Sequence, residues 1–395
     1  MGRRDHAPAL LRSPPVRVLH VNNEKTWRGG ERQTLLTAEE ERRRGLDSQI
    51  ACRRGSPLEE MARAAGVPTI ELPTALPAAV PPLRRAARSF DVLHCQTGST
   101  HSMAVLATLT SRKPIVVSRH VDNVPHDRWF TRWKYRRVDR IVCASRWIER
   151  VLRDWGVSPE QMTVIYEAVP SDALVPREAC LAELRERTRV TADRKLIGNI
   201  AALVGHKDHA TLLHAARKIA ERRRDVAVII VGDGPLRDDL MRLRRDLDLA
   251  ATVHFTGFVP QAQRLLPGFD VFAMTSRTEG LGTIVLDAAV AGVPVAATSA
   301  GGLREAVLHE RTGLLAPVGD AAALADALLR LLDEPALAQH LARAARRRVG
   351  TEFAVADMVR RYVALYETVL AEHARARQPR PAPAPGRRAG SLSVR

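Results

Sequence analysis

Residues 271–296 read VFAMTSRTEGLGTIVLDAAVAGVPVA, in which two short apolar runs flank a glycine-containing turn and a helical pattern. The order strand, turn, helix, strand is a βαβ unit and indicates a parallel sheet. Glycines at a turn from strand to helix let backbone N–H groups approach an anion, and the helix dipole favours negative charge there. The segment therefore predicts an anion-binding turn within an α/β domain.

The same alternation of short apolar runs and helical patterns extends over most of the chain. In the first half it predicts strands at 16–21, 48–52, 92–95, 115–118 and 140–143. In the second half it predicts strands at 196–200, 226–231, 252–255, 271–274 and 293–296. We therefore expect two α/β halves with doubly wound parallel sheets. Two such halves facing each other leave a cleft at the carboxyl ends of both sheets, where these folds bind ligands.

The composition bounds the class of protein. The chain has 395 residues, of which 45% are hydrophobic and 27% charged, which suffices for two cores and argues against a disordered chain. The four cysteines have neither metal-ligand nor redox spacing, so we expect reduced thiols and neither a zinc site nor a disulfide scaffold. We expect no signal peptide and no membrane span, because no apolar run is long enough.

The formal net charge is +17, which raises the question of a nucleic-acid partner. No helix-turn-helix, RNP or zinc-finger pattern accompanies the charge, so we expect no nucleic acid. Attraction to phosphorylated small molecules or anionic lipid headgroups is the interpretation we favour. Residues 128–140, RWFTRWKYRRVDR, combine aromatic bodies with cationic tips, which suits a membrane surface or a glycolipid headgroup. The alternative is a helix with aromatic side chains in the core and solvated charges.

Two acidic residues, Glu279 in the turn and Asp287 further along the helix, flank the predicted anion site. A nucleotide sugar needs such an arrangement, because its diphosphate can take the backbone amides while carboxylates accept hydrogen bonds from sugar or ribose hydroxyls. The alternative is an ordinary βα turn in which Glu279 caps the helix.

This run resembles the E-x7-E segment of glycosyltransferase family 4, retaining enzymes with the two-domain GT-B fold. The resemblance extends over about residues 16–372 and includes further motifs in the family's order. They are Gly29-Gly30-Glu31, Cys143-Ala144-Ser145, Gly232-Asp233-Gly234-Pro235 and Gly301-Gly302-Leu303-Arg304-Glu305. The resemblance implies a fold of two Rossmann-like domains around a central cleft.

The resemblance also implies roles for residues of the second domain. Glu279 would hold the donor sugar and Asp287, a glutamate in the family, would bind the ribose. Lys207 matches the lysine that the family presents to the donor phosphates, whereas Ala202 stands where an arginine is expected. Neutralisation of the leaving diphosphate then depends on Lys207, on His206 or an arginine of the first domain, and on four backbone amides: those of Gly280, Leu281, Gly282 and Thr283. The alternative for Lys207 is a solvated lysine at a helix start.

In the first domain, four residues fall at positions that the resemblance places in the cleft. His120 would contact a sugar hydroxyl and Arg119 a phosphate, and Gly29 and Gly30 would let the donor diphosphate or the acceptor approach closely. We thus expect Glu279, Lys207 and His120 to be catalytic and the others to bind the donor. The alternatives are a structural histidine and an ordinary tight turn.

The resemblance implies a domain plan, which we state as an expectation. The plan has a disordered arm (1–15), an N-terminal acceptor domain (16–180), a donor domain (190–350), a helix packing back on the first domain (353–372) and a disordered basic Pro-rich tail (376–395). We expect the hinge within residues 167–194, which are polar and contain two prolines.

The activity implied is that of a bacterial hexosyltransferase. It would move a sugar from a nucleoside-diphosphate donor, a UDP-sugar ahead of a GDP-sugar, to a glycan or glycolipid hydroxyl in cell-surface polysaccharide or lipopolysaccharide synthesis. No metal or other cofactor is expected. The location expected is cytoplasmic, with peripheral contact to the anionic inner membrane. Two alternatives stay open: a sugar-nucleotide epimerase on the same fold, and a non-catalytic sugar- or polyanion-binding protein.

Overall fold

The computed structural model describes residues 16–171 and 174–377. The predicted N-terminal arm and the predicted tail from residue 378 onward lie outside the described residues. The final helix extends to Arg377 and so includes the first two residues of the segment predicted as a tail.

The first domain contains a seven-stranded, entirely parallel sheet in the order β3-β2-β1-β4-β5-β6-β7. Its strands are β1 (Arg17–Asn22), β2 (Asp47–Arg53), β3 (Thr69–Leu72), β4 (Val92–Cys95), β5 (Ile115–Arg119), β6 (Arg140–Cys143) and β7 (Met162–Val164). Its helices are α1 (Gly29–Arg43), α2 (Pro57–Ala64), α3 (Leu76–Ala87), α4 (Gly98–Ala107), α5 (Trp129–Arg136) and α6 (Arg146–Trp155).

The second domain contains a six-stranded parallel sheet in the order β10-β9-β8-β11-β12-β13. Its strands are β8 (Lys195–Ile200), β9 (Val226–Val231), β10 (Val253–Gly257), β11 (Val271–Met274), β12 (Val295–Thr298) and β13 (Leu314–Ala316). Its helices are α7 (Arg177–Thr188), α8 (His209–Arg222), α9 (Arg237–Asp246), α10 (Thr283–Val290), α11 (Leu303–Ala306), α12 (Ala321–Asp333) and α13 (Pro335–Glu352). The predicted fold class, two doubly wound α/β domains, is confirmed.

The strand order places a switch point at the middle of each sheet. In the first sheet β1 lies beside β4, and in the second β8 lies beside β11. Because successive connections leave such a pair on opposite faces of the sheet, a crevice opens beyond the carboxyl ends of these strands. The loops that follow β1, β4, β8 and β11 are therefore the ones positioned to form a ligand site.

The last helix, α14 (Val355–Arg377), returns to the first domain. Its apolar side chains, including Met358, Tyr362 and Tyr366, pack in one cluster with residues of β1, β4, β5 and β6. Immediately before the helix, the N–H of Val169 donates to the carbonyl of Phe353 at 3.2 Å. The chain therefore crosses between the domains twice.

The segment in which we expected the hinge is largely helical. Helix α7 occupies its centre, and Leu184 on this helix packs in the core of the second domain. Arg177 at the start of α7 donates to the carbonyls of Pro267 and Phe269 at 2.7 and 2.9 Å. The second domain therefore begins before residue 190, and the first crossing precedes α7.

Within residues 16–171 and 174–377 no helix is long and apolar enough to cross a membrane. Nor does this part of the chain hold a group of three or more His, Cys, Asp or Glu side chains that could bind a metal ion. The four cysteines all lie in it and are buried and free.

Candidate active site

Lys207 and Glu279 meet beyond the carboxyl ends of β8 and β11. The ammonium Nζ of Lys207 donates to Oε2 of Glu279 at 2.6 Å, and the hydroxyl of Ser276 donates to the same oxygen at 2.9 Å. The Lys207 and Glu279 side chains are 18% and 15% exposed, so the pair is sheltered and still reachable from the cleft. Both bonds end on Oε2, and within the described residues Oε1 remains available to a hydroxyl.

The backbone around Lys207 is tied to the loop after β11. The hydroxyl of Thr275 donates to the Lys207 carbonyl at 2.8 Å, and the next residue, Asp208, accepts from the Arg277 guanidinium at 2.9 Å. Asp208 has a φ of 49°, and its side chain caps the start of α8 through Thr211. These contacts fix the loop that carries the lysine relative to the loop that carries the glutamate.

The glycine turn brings the start of α10 against the first domain. Gly282 has a φ of 82°, and no side chain of the described residues caps the helix there, so the first amides of α10 remain available to an anion. A Cβ on Gly280 would lie 2.1 Å from the His120 carbonyl oxygen, so only glycine permits this approach of the two domains. Leu281 is buried, which leaves only its backbone for a ligand.

Gly29 and Gly30 lie opposite this turn, at the start of α1. A Cβ on Gly29 would lie 3.8 Å from the Thr283 hydroxyl, and one on Gly30 would lie 3.7 Å from the His120 ring. The neighbouring Glu31 accepts from the N–H of Arg28 at 2.9 Å and has its pKa raised by burial. That carboxylate caps α1, and the two glycines keep the gap between the domains narrow.

His120 follows β5 and is held from both sides of its ring. Nδ1 lies 2.6 Å from Oε1 of Glu167, and Nε2 lies 3.0 Å from Oε1 of Gln96. The imidazole is largely buried, at 12% exposure. Its orientation in the cleft is therefore set by two polar partners from other loops of the first domain.

Asp287, on α10, forms a two-bond ion pair with Arg32 of α1. The two guanidinium nitrogens of Arg32 donate to its carboxylate oxygens at 2.6 and 2.9 Å. Burial raises the pKa of Asp287, and the Arg32 charge acts against that rise. The pair joins the two domains across the cleft.

A second contact between the domains uses Glu305 of α11. Its carboxylate accepts from the backbone N–H groups of Arg146 and Trp147 at 2.9 and 2.7 Å, and from the Tyr166 hydroxyl at 2.9 Å. The carboxylate thus caps α6 of the opposite domain, where the helix dipole favours negative charge. The domains are held in contact on this side of the cleft as well.

Two family descriptions match successive parts of the chain, Glycosyltransferase Family 4 over residues 27–173 and Glycosyl transferases group 1 over residues 182–348. The chain is 30% identical to the GDP-mannose-dependent alpha-(1-6)-phosphatidylinositol monomannoside mannosyltransferase of Mycolicibacterium smegmatis, over 70% of this chain and 78% of that protein. The chain belongs to glycosyltransferase family 4. It is also 31% identical to the 2-deoxystreptamine glucosyltransferase of Streptomyces kanamyceticus, over 60% of this chain and 63% of that protein.

The solved structure of HepE from Anabaena, determined in complex with UDP and glucose, shares the fold. It superposes with a TM-score of 0.80 at 20% identity, covering 89% of this chain and all of HepE. This likeness confirms the predicted GT-B architecture, and the family matches with the mycobacterial relative confirm the assignment to the glycosyltransferases.

In this glycosyltransferase the structure brings most of the predicted site residues together. Lys207 pairs with Glu279, while Gly29, Gly30 and His120 face the turn at residues 280–283. Their roles toward a donor remain predictions.

For three predicted donor-binding side chains the structure shows their surroundings within the protein, while their contact with a donor stays a prediction. The guanidinium of Arg119 donates to the carbonyl and side-chain oxygens of Asn123 and so bonds to its own loop. Asp287 meets Arg32, where a contact with the donor ribose was expected. His206 lies at the exposed rim, where partial burial and then the Lys207 charge lower its pKa, which favours a neutral ring.

The structure adds four residues that sequence reasoning missed: Arg32, Gln96, Glu167 and Glu305. Arg32 reaches a partner 255 positions away, and Glu167 a partner 47 positions away. Glu305 was noted only as part of a motif. For Arg32 one indirect signal existed, because the absence of an arginine at Ala202 already suggested an arginine from the first domain.

Proposed function

We propose that this enzyme transfers a sugar from a nucleoside-diphosphate donor to an acceptor hydroxyl with retention of anomeric configuration. The observation that carries the proposal is the Lys207–Glu279 pair beside the uncapped start of α10. An ammonium group and free amides suit a diphosphate, and a carboxylate with one free oxygen suits a sugar hydroxyl. Gly29 and Gly30 close the opposite wall.

The barrier to transfer lies in the departure of the anionic diphosphate from an oxocarbenium-like centre. Lys207 and the amides at residues 280–283 are fixed before the donor arrives, so they stabilise the developing charge without reorganising. Glu279 orients the ammonium through Oε2 and offers Oε1 to the donor sugar. An oxygen of the departing phosphate takes the acceptor proton, so the protein need not supply a base, and no step requires a metal.

For the donor we propose a UDP-sugar ahead of a GDP-sugar, and for the acceptor a glycan or glycolipid of the bacterial cell surface. Two comparisons support the general class and differ on the base, because the mycobacterial relative is GDP-mannose-dependent and HepE was solved with UDP. A cell-envelope acceptor is supported by the phosphatidylinositol mannoside in the name of that relative.

A peripheral contact with an anionic membrane is part of this proposal. Trp129 at the start of α5 is 80% exposed, and Val121 and Val124 in the preceding loop are also exposed. Arg128 and Arg136 lie exposed beside them, whereas Tyr135 is buried. Only part of the aromatic set therefore packs in the core, and the rest forms an apolar surface with cationic neighbours, which suits a lipid headgroup region.

The experiment that tests the function compares wild type with Glu279→Gln. Purified protein is screened by thermal shift against UDP-, GDP-, ADP- and CDP-sugars, because binding to the native state raises the midpoint. The sugar that binds is then offered with candidate acceptors. We expect transfer by wild type, loss of transfer in the variant, and an unfolding midpoint close to that of wild type, because Glu279 lies in a cleft loop.

Two other outcomes would identify the competing functions. Release of free nucleotide without any acceptor, with an altered sugar as product, would indicate an epimerase. Donor binding with neither transfer nor hydrolysis would indicate a non-catalytic binding protein. Product anomeric configuration, read by NMR, tests retention separately.

A further inference from the structure

A chain of four hydrogen bonds leads from the cleft into the interior of the first domain. Glu167 and Gln96 hold the two ring nitrogens of His120 at 2.6 and 3.0 Å. The amide nitrogen of Gln96 then donates to Nδ1 of His20 at 3.2 Å, and Nε2 of His20 lies 2.7 Å from Glu41. His20 and Glu41 are fully buried, and Gln96 and Glu167 nearly so.

The number of hydrogens in this chain of hydrogen bonds follows from the donors and acceptors that it joins. Four hydrogen bonds need four hydrogens, and the Gln96 amide supplies one of them, to whichever imidazole its nitrogen faces. The other three must come from the two imidazoles and the two carboxylates. Two neutral imidazoles carry only two, so the chain holds one further proton. With both carboxylates ionised, one histidine is an imidazolium.

We propose that His20 and His120 share one positive charge through Gln96, which makes His20, Gln96 and Glu41 positioning residues for the charge that His120 presents to the donor. With the amide nitrogen facing His20, as in the structure, the charge lies on His120. In the other state the amide is turned by half a turn, the proton on Nε2 of His120 has been given up, and Nδ1 of His20 has taken up one proton, so the charge lies on His20, beside Glu41. The inference rests on the proposed function in one respect, that His120 faces the donor.

The groups around the buried end of the chain all donate to Glu41. Its carboxylate also accepts from the Ser48 hydroxyl at 2.7 Å and from the Tyr366 hydroxyl at 3.0 Å. Together with Nε2 of His20, three donors therefore point at its two oxygens. The imidazolium is therefore stabilised by a carboxylate at either end of the chain.

A third histidine, His94, lies beside the chain without competing for its proton. Its ring centroid is 5.0 Å from that of His20, and its nitrogens bond to Tyr366 and Ser118. Burial first, and then the charges of His20 and His120, lower its pKa well below the usual range, so it stays neutral.

The remaining groups that face His120 add little competition for the proton. Arg119, the preceding residue, turns its guanidinium to Asn123. Helix α1 contributes Gly30, which has no charge, and the second domain contributes the backbone of Gly280. Glu167 is thus the carboxylate in direct contact with the ring.

The arrangement has a consequence for donor binding. An anionic diphosphate in the cleft favours the state with the charge on His120, because opposite charges attract strongly where water is excluded. After the diphosphate leaves, Glu41 favours the state with the charge on His20. The amide of Gln96 then acts as a two-position element whose equilibrium the ligand biases.

The test counts imidazolium rings by 15N NMR of histidine-labelled protein at about pH 8, above the ordinary imidazole pKa of about 6.5. We expect one imidazolium in wild type. Gln96→Leu breaks the chain and should leave none. Gln96→Glu accepts hydrogen bonds from both rings and should give two. His20→Asn and His120→Asn assign the signals.

The control is His101→Gln, which removes a buried imidazole bonded to the Lys134 carbonyl, outside the chain. It should leave the count of imidazolium rings and kcat/KM unchanged, whereas Gln96→Leu should lower both. A wild-type protein with no imidazolium at about pH 8, or three Gln96 forms with the same count, overturns the inference. Should Gln96→Leu fail to fold, the isosteric Gln96→Glu carries the test.

The NMR count needs no substrate, so it separates this inference from the proposed function. One imidazolium in a protein that transfers no sugar would support the shared charge and contradict the proposed function. Sugar transfer by a protein in which His20 and His120 are both neutral would support the proposed function and contradict the shared charge.

Discussion

At the scale of single residues, Lys207 is the side chain of the loop after β8 that offers a positive charge to the leaving diphosphate. Ala202 in the same loop has no charge, and His206 lies at the rim. Lys207→Ala should cost about 2–4 kcal/mol of transition-state stabilisation, the range for one preorganised donor to developing charge. The measurement is kcat/KM for transfer. The matched control is Lys218→Ala, an exposed lysine of α8. A loss of less than about fivefold, or about 1 kcal/mol, would show that Lys207 does not stabilise the leaving diphosphate.

Gly280 gives a second prediction at this scale. Gly280→Ala would place a methyl group against the His120 carbonyl, so the two domains could no longer approach as closely. Overpacking costs about 1–3 kcal/mol, which corresponds to roughly a fivefold to 150-fold loss of kcat/KM if closure is needed for transfer. Gly205→Ala, with nothing within 4 Å of its Cβ, is the control. Equal activity of the two variants would contradict this account of closure.

Single residues also show where sequence reasoning ends. Glu279, Lys207 and the glycines at 280 and 282 could be predicted because each lies in a local strand–loop–helix pattern. Arg32 could not be identified, because it lies on an amphipathic helix among many arginines and its partner is 255 positions away. Gln96 and Glu167 likewise matter only through their contacts with His120.

At the scale of elements, strands buried along most of their length were predictable, whereas three partly exposed edge strands were not. Strands β4, β6, β9 and β11 have the predicted bounds, whereas β3, β7 and β13, with four, three and three residues, were missed. The missed strands lie at the edges of the two sheets, where a strand has less need of apolar sequence, so they lack the continuous apolar run that marks the buried strands. Helix α7 was missed for a related reason, because only Cys180 and Leu184 of its twelve residues are buried.

Helix α5 carries the prediction that belongs to this scale. Trp129→Ala should weaken sedimentation with anionic vesicles at low salt, because the indole is exposed at the start of a basic helix. Phe258→Ala, an exposed aromatic side chain of the second domain, is the matched control and should sediment like wild type. If wild type does not sediment with anionic vesicles, the membrane contact is wrong and a soluble acceptor becomes the better proposal.

At the scale of the whole molecule, closure of the cleft depends on contacts that neither domain makes alone. Glu305 caps a helix of the opposite domain, and Arg32 binds Asp287 with two hydrogen bonds. Both contacts lie beside the turn at residues 280–283, where the donor diphosphate is proposed to bind. We therefore expect closure of the two domains to complete the proposed site.

The Arg32–Asp287 pair provides the test of that coupling. Arg32→Ala and Asp287→Ala should each weaken the contact between the two domains by about 2–5 kcal/mol. This is the range for removing one partner of a hydrogen-bonded, partly buried charge pair. The double variant should be no worse than either single one, because the pair acts as a unit. We expect each variant to increase the radius of gyration in small-angle scattering and to lower kcat/KM. The charge swap Arg32→Asp with Asp287→Arg should bring both the radius of gyration and kcat/KM part of the way back to their wild-type values.

The control for this comparison of single and double variants is the exposed Arg17–Asp91 pair, which lies within the first domain. Disrupting that pair should lower the free energy of unfolding by about 0–1 kcal/mol and leave the radius of gyration unchanged. Unequal effects of the two single variants would support the role that the family resemblance implies for Asp287. If Asp287→Ala abolishes donor binding while Arg32→Ala leaves both donor binding and the radius of gyration intact, the carboxylate binds the donor ribose and the ion pair does not govern closure.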